Sequence, residues 1–339
     1  MIWLDAARVV SILAVVFLHV AATVVTGRDI GSPDWWYGNV YDSLVRWCVP
    51  VFIMISGALL LGSGKRESVG AFYRKRMTRI FVPLVVWTIV FLFWQGEQAT
   101  FSLADLSLGA VARRIASGKP HYHMWFLFMI VSLYLFTPFI RILVRHATRA
   151  ELWLLVALLF GVAALHEVFD MFFGRGVSLF VFWFLSYLPY FLCGHLIATS
   201  DRAMSTRLLL TVFGASVLLT ALGCYLLAGA RGIEDGLYFY GYLSITVIPM
   251  SVSLMWMFRM RSFDAVPDAV GTTFRRLSEL TLGVYLIHPV ILESFRRFAF
   301  RQEEVYPLLS VPLVALLVFG ASLLCAFVLY RIPYLKRAI

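Results

Sequence analysis

Charge of either sign is scarce in this chain: Asp, Glu, Lys and Arg make up 14% of its 339 residues, against roughly 25% in soluble domains. With hydrophobic residues at 61%, that shortage excludes a water-soluble globule and points to a membrane protein. Cysteine is scarce as well. Its four residues, Cys48, Cys193, Cys224 and Cys325, stand singly inside apolar runs with no CxxC pair. That excludes a disulfide framework and a zinc site, and it predicts buried structural thiols. No soluble domain, low-complexity tract or internal repeat interrupts the chain. The net charge of +10 is scattered between apolar segments and no nucleic-acid module fits, so nucleic acid is not expected as a partner. The excess is read instead as orienting a polytopic chain. Residues 1–25 lack the positively charged front of a signal peptide and carry Asp5 and Arg8 inside the apolar stretch. They are read as an uncleaved first transmembrane helix.

Long apolar runs are plentiful. A spanning helix needs about 20 mostly apolar residues, and such runs lie near 3–26, 40–63, 79–97, 122–145, 151–170, 178–198, 206–229, 237–258, 276–297 and 308–331. The expected fold is all-α, a polytopic transmembrane helix bundle of about ten spans, in a single domain over residues 1–339. Lys and Arg are retained on the cytoplasmic side of a membrane. Placing the even-numbered loops and the C-terminus together gathers 18 of the 29 basic residues, against 9 in the odd loops, with Arg8 and Arg46 inside spans. Both termini are therefore expected in the cytoplasm.

The ionisable residues inside the runs carry the most information, because each is costly at membrane depth unless it is paired or lines a wet cavity. In "LDAARVVSILAVVFLHV", Arg8 and His19 stand 11 positions apart, which puts them within about 20° of one helix face and roughly 16 Å apart along the axis. Arg8, beside Asp5, would lie near the inner surface and His19 deep in the outer half. A plainer alternative has Arg8 snorkelling to headgroups and His19 hydrogen-bonding a neighbouring helix. "FYRKRMTRIFVPLVVW" concentrates Arg74, Lys75, Arg76 and Arg79, which suit either membrane lipid headgroups or a phosphorylated ligand. Headgroups explain Arg79 poorly, since it sits one to two turns into an apolar segment.

"HYHMWFLFMIVSLYLFTP" brings His121, His123, Trp125, Tyr134 and Pro138. An H-x-H pair offers too few ligands and no nearby carboxylate completes it, so no metal is expected, and Trp125 and Tyr134 read as interfacial anchors. "LSELTLGVYLIHPVILE" places Glu279, His288 and Glu293 in one span, which argues for a lined cavity. Ser56 and Gly57 in "VFIMISGALLL" suggest close helix packing rather than a nucleophile, for want of a Gly-x-Ser-x-Gly elbow.

Taken in order, these motifs resemble the acyltransferase-3 family of integral membrane O-acyltransferases. The resemblance rests on the R-x10-H spacing of Arg8 and His19, then "FIMISGALLL", "RKRMTRIFVP", "MWFL" and "LGVYLIHP". Some relatives carry a C-terminal SGNH hydrolase-like domain. This chain ends at "YLKRAI" and is similar to the stand-alone branch.

The resemblance implies a multi-pass protein of the bacterial inner membrane that moves an acyl group, usually acetyl, from cytoplasmic acyl-CoA to a hydroxyl of an envelope glycan or lipid-linked saccharide. Acyl-CoA is then a donor substrate and no cofactor is held permanently. Arg8, Arg76 and Arg79, with Arg74 and Lys75, would hold the donor's phosphates, and His19 would act as general base or as a transient acyl carrier. Asp5, His123, Trp125, Tyr134, Glu279 and His288 are candidates for the cavity or the acceptor side. The alternative is a proton-coupled secondary transporter using the same Arg, His and Glu residues as a relay.

Overall fold

The computed structural model of the chain describes residues 1–62, 67–95, 98–102, 107–173, 183–261, 267–298 and 306–339. The architecture is an all-α bundle. Helix α1 (Ile2–Gly27) is its axis and packs against α2 (Pro33–Val45), α3 (Cys48–Leu61), α11 (Val247–Met260), α12 (Asp268–Phe298) and α13 (Pro307–Arg331). The others are α4 (Val69–Phe93), the amphipathic α5 (Leu108–Ala116), α6 (Trp125–His146), α7 (Arg149–Phe173), α8 (Trp183–Ala198), α9 (Thr206–Arg231) and the single turn α10 (Ile233–Gly236). Among the described residues, strand is confined to a small antiparallel hairpin, β1 (Trp94–Gln95) with β2 (Thr100–Phe101).

Seven helical segments among the described residues are long and apolar enough to cross a membrane: α1, α2 with α3, α4, α6, α7, α9 and α13. The remaining runs fall on α8 and α11, apolar but only 16 and 14 residues long, and on α12, which is long but diluted by its polar residues. Part of the run at 178–198 lies outside the described residues, as do Lys65, Arg66, Arg175 and Arg301 of the charge count.

Two of the expected runs are broken helices. The second starts early, at Pro33, because Ser32 caps it by accepting from the Trp35 amide at 3.2 Å and proline suits a first helical turn. It then unwinds at Arg46 and Trp47 before α3 begins. The run at 237–258 opens as a 3-10 turn over Leu237–Tyr240, then passes through irregular backbone over 241–246 before α11. That stretch closes on itself: the Ser244 amide donates to the Gly241 carbonyl at 3.0 Å, and the Ser244 hydroxyl accepts from the Val247 amide at 3.3 Å. Irregular backbone at membrane depth persists only where protein or a cavity covers it, and these two breaks meet in the centre of the bundle.

Helix α4 begins ten residues before the expected position 79, because the Ser68 hydroxyl caps it at the Ala71 amide, 3.2 Å away. Arg74, Lys75, Arg76 and Arg79 are thus all helical. Helices α3 and α8 cross at backbone contact: a Cβ on Gly57 would fall 1.8 Å from the Phe191 carbonyl oxygen, and one on Gly194 would fall 1.9 Å from that of Met54. Ser56 donates to the Phe52 carbonyl one turn back, at 3.0 Å. Close packing is therefore what this small-residue pair does.

Candidate active site

Helix α1 carries two polar places on one face, as the 11-residue spacing predicts. Toward its start, half-buried Arg8 lies within Coulombic reach of Tyr134 on α6, of Asp5 one turn earlier, and of Arg79 and Arg76 on α4. Asp5 accepts a 2.8 Å hydrogen bond from the Ser278 hydroxyl of α12, so the one carboxylate of the group is shared. The Arg76 Nε is buried and makes no hydrogen bond among the described residues. Three guanidinium groups held against their mutual repulsion around one engaged carboxylate make a site that favours an anion. Arg74, Lys75 and Arg79 are exposed, and of the three Arg79 is the one within Coulombic reach of Arg8. Tyr134 belongs to this cluster rather than to an interfacial belt.

Farther along α1, His19 opens onto a cavity of about 20 Å³ lined also by Cys48, His123, Trp125, Phe126, Tyr242 and Tyr285. That is room for about one water. The His19 ring stacks on His288 of α12 with centroids 5.3 Å apart and planes 23° apart. Tyr122 meets it edge-on at 5.0 Å. Arg296 on the last turns of α12 donates to the His19 carbonyl at 3.1 Å.

The residues around the cavity are fixed from below and from the side. Tyr285 donates its hydroxyl proton to the His123 carbonyl. The His288 Nδ1 faces the Val284 carbonyl at 3.2 Å, which assigns its proton to that nitrogen. The Nε2 atoms of His123 and His288 are buried and make no hydrogen bond among the described residues. Buried polar atoms in that condition cost about 1–3 kcal/mol each, a cost a bound polar group removes. Trp125 stacks on Tyr242 at 5.6 Å and 24° and is a cavity wall, not a membrane anchor.

The turn that precedes α6 holds a second chain of contacts. The Nδ1 atoms of His121 and His123 lie 3.0 Å apart, and His121 Nε2 stands 3.3 Å from Glu293. The other Glu293 oxygen accepts from the Trp94 indole at 2.6 Å. A carboxylate therefore does join the H-x-H pair, from α12, 170 positions on in the sequence. Among the described residues no three His, Cys, Asp or Glu side chains form a metal-ligating group.

Glu279 does not line the cavity. It is exposed and accepts from the Tyr330 hydroxyl at 3.2 Å. The nine positions between Glu279 and His288 turn α12 by about half a revolution, so the two residues occupy opposite faces and the expected three-residue cavity separates into three places.

A buried polar group that the sequence reading left unassigned sits at the helix breaks. Asp42 and Arg46 pair at 2.5 Å. Arg46 also donates to the Tyr240 carbonyl at 3.3 Å and stands 4.2 Å from that ring's centroid. The Tyr240 hydroxyl donates to Asn39 Oδ1 at 2.6 Å, and Asn39 donates to the Ala221 carbonyl at 2.9 Å. The signal was there to read, since Asp42 and Arg46 are one turn apart inside an apolar run. Tyr242 and Tyr285, by contrast, are unremarked tyrosines among 15.

A family model described as an acyltransferase domain matches residues 1–331 of the chain. Neither the curated proteins nor the solved structures give a match.

Proposed function

Because the chain belongs to the acyltransferase-3 family, and is thus a multi-pass membrane acyltransferase, we propose that it moves an acyl group, most simply acetyl, from acyl-CoA to a saccharide hydroxyl at the inner membrane of a bacterium. One observation carries the reading: α1 places an anion-favouring arginine cluster and an imidazole-lined cavity on a single face. About 16 Å of helix rise separates Arg8 from His19, a span suited to a donor with phosphates at one end and a reactive thioester at the other.

In this reading the guanidinium groups of Arg8, Arg76 and Arg79 hold the phosphates by charge-assisted hydrogen bonds. The acyl arm reaches into the bundle toward His19. The acceptor hydroxyl attacks the thioester carbonyl as its proton passes to the His19 imidazole, the tetrahedral centre collapses with cleavage of the carbon–sulfur bond, and the same proton leaves with the thiolate as CoA thiol. His288 stacks against the His19 ring and keeps it from rotating. Since the cavity now admits about one water, donor entry requires the aromatic walls to part.

The test is thiol release from acetyl-CoA by purified protein in detergent, with and without added saccharide. Protein-dependent release that vanishes in His19→Ala supports the reading. A folded wild-type protein that releases no thiol from any acyl-CoA, with acceptor present, overturns it.

A further inference from the structure

We propose that Tyr242 is a catalytic residue of this site: its hydroxyl donates a hydrogen bond to the oxyanion that forms when the thioester carbonyl is attacked, and the irregular backbone before α11 holds it at the cavity. This rests on the acyl-CoA reading above. Attack converts a carbonyl oxygen into an anion beside His19, and a donor aimed at that oxygen in a dry site is commonly the largest single contribution to catalysis. The cavity holds few candidates: His123 turns its Nδ1 proton to His121, whose Nε2 proton faces Glu293, so the His123 Nε2 accepts and does not donate. The Tyr285 hydroxyl is spent on the His123 carbonyl, Cys48 is a weak donor, and the Trp125 indole lies flat against Tyr242.

Tyr242 lines the same cavity as His19, and the Arg46 charge lies close to its phenol. A guanidinium only donates. It therefore cannot take the phenol proton, which stays free to point at a ligand, made a stronger donor by the adjacent positive charge. The Arg46 charge also reaches His19 and Cys48, on neighbouring walls.

The fold is committed to this arrangement. Arg46 occupies the break between α2 and α3, and Tyr242 the irregular stretch before α11, two interruptions that an ordinary spanning helix would not contain. Arg46 is pinned by Asp42 and by the Tyr240 carbonyl. Tyr242 is pinned through its own carbonyl, which accepts from the Tyr190 hydroxyl at 2.7 Å. During the reaction the Tyr242 proton is shared with the oxyanion and never transferred, so the balance stays as written above: the hydroxyl proton goes to His19 and then to sulfur.

The experiment compares acyl transfer by wild type, Tyr242→Phe and Tyr190→Phe, each checked for detergent-stable melting. Loss of one oxyanion donor typically costs 10²–10³ in kcat, so Tyr242→Phe is expected to lower kcat by about 100-fold or more while leaving KM for donor and acceptor within about 2-fold. Tyr190→Phe, which loosens the anchor of the same segment but leaves the Tyr242 hydroxyl, should lower kcat by at least about 10-fold less than Tyr242→Phe does. Tyr242→Phe with kcat within about 3-fold of wild type, or with a rise in KM alone, overturns the role. Should Tyr242→Phe fail to fold, 3-fluorotyrosine at position 242 preserves shape and sharpens the phenol as a donor. A kcat displaced by about 2-fold or more supports the role and an unmoved kcat overturns it. If wild-type protein consumes no acyl-CoA, the donor reading fails and the Tyr242 role falls with it. If wild type turns over and only the Tyr242 variants are indifferent, the donor reading stands and Tyr242 alone is rejected.

Discussion

His19 and His288, 269 positions apart in the sequence, stack ring on ring with centroids 5.3 Å apart. The stack leaves each imidazole edge available while fixing the plane of both. With its Nδ1 proton turned to its own helix, His288 is proposed to act on His19 through the ring contact. His19→Ala is therefore expected to lower transfer at least ~100-fold, in line with the 10²–10⁴ that a general acid–base group contributes. His288→Leu, which fills the space but lacks the flat ring, should cost about 10- to 100-fold in kcat through misplacement alone, with KM unchanged. Steady-state kinetics on both variants checks this. Equal and small losses in folded protein would remove the pair from the chemistry.

Donor binding is the second place to test. Arg8 and Arg76 are half-buried, and Arg79, though exposed, lies within Coulombic reach of Arg8; Arg74 and Lys75 are exposed and stand outside that group. Arg76→Ala and Arg79→Ala should each weaken acetyl-CoA binding by roughly 10-fold or more, with partial rescue by Lys, which lacks the bidentate fork. Arg74→Ala and Lys75→Ala, outside the group around Arg8, should change it by less than about 3-fold. Calorimetric titration decides, and uniform small effects across all four positions would return the cluster to headgroup binding.

Much of this was legible in the sequence because helix geometry is rigid. The 11-residue interval set Arg8 and His19 on one face, and the small pair Ser56–Gly57 announced a close crossing. Glu279 and His288 obey the same arithmetic: their nine-residue interval places them on opposite faces. What no spacing rule could supply were the contacts between distant segments: Glu293 at His121, Tyr242 at the cavity, and the meeting of two helix breaks at Arg46. Breaks look like continuous apolar runs in sequence, since the backbone groups they free are satisfied by partners elsewhere in the bundle.

The α3–α8 crossing yields a stability prediction with an internal reference. Overpacking costs about 1–3 kcal/mol. A Cβ on Gly57 or Gly194 meets a backbone carbonyl under 2 Å away, which no rotamer change can relieve. Gly57→Ala and Gly194→Ala should therefore fall at or above the upper end and lower the melting temperature in detergent. Gly161 of α7 has nothing within 4 Å of such a Cβ, so Gly161→Ala should be neutral or stabilising by up to about 1 kcal/mol through helix propensity. A Gly57→Ala protein that melts with wild type would show that the two helices are not in backbone contact.

Sidedness follows from two observations that need no ligand. On the expectation of ten spans the basic residues divide 18 to 9 between the two sets of loops, and the retention of Lys and Arg in the cytoplasm would then place the loop before α4 there. Helix α1 is continuous from Ile2 to Gly27, so His19 lies roughly 24 Å along the axis from Trp3, beyond the midplane of a hydrocarbon core about 30 Å thick. On that expectation the arginine cluster and the imidazole cavity sit on different sides of that midplane, and the proposed thioester donor, bound by its phosphates at the inner end, would present its carbonyl in the outer half. The expected outcome is acyl transfer across the bilayer: in vesicles of known orientation, labelled acetyl-CoA supplied only to the cytoplasmic face labels an acceptor presented only at the other. Labelling confined to vesicles in which donor and acceptor share the cytoplasmic compartment would overturn the crossing. It would also require His19 to be reached by the acceptor from the inner surface, past the Arg8 cluster, which a bulky saccharide could do only if that end of the bundle opens.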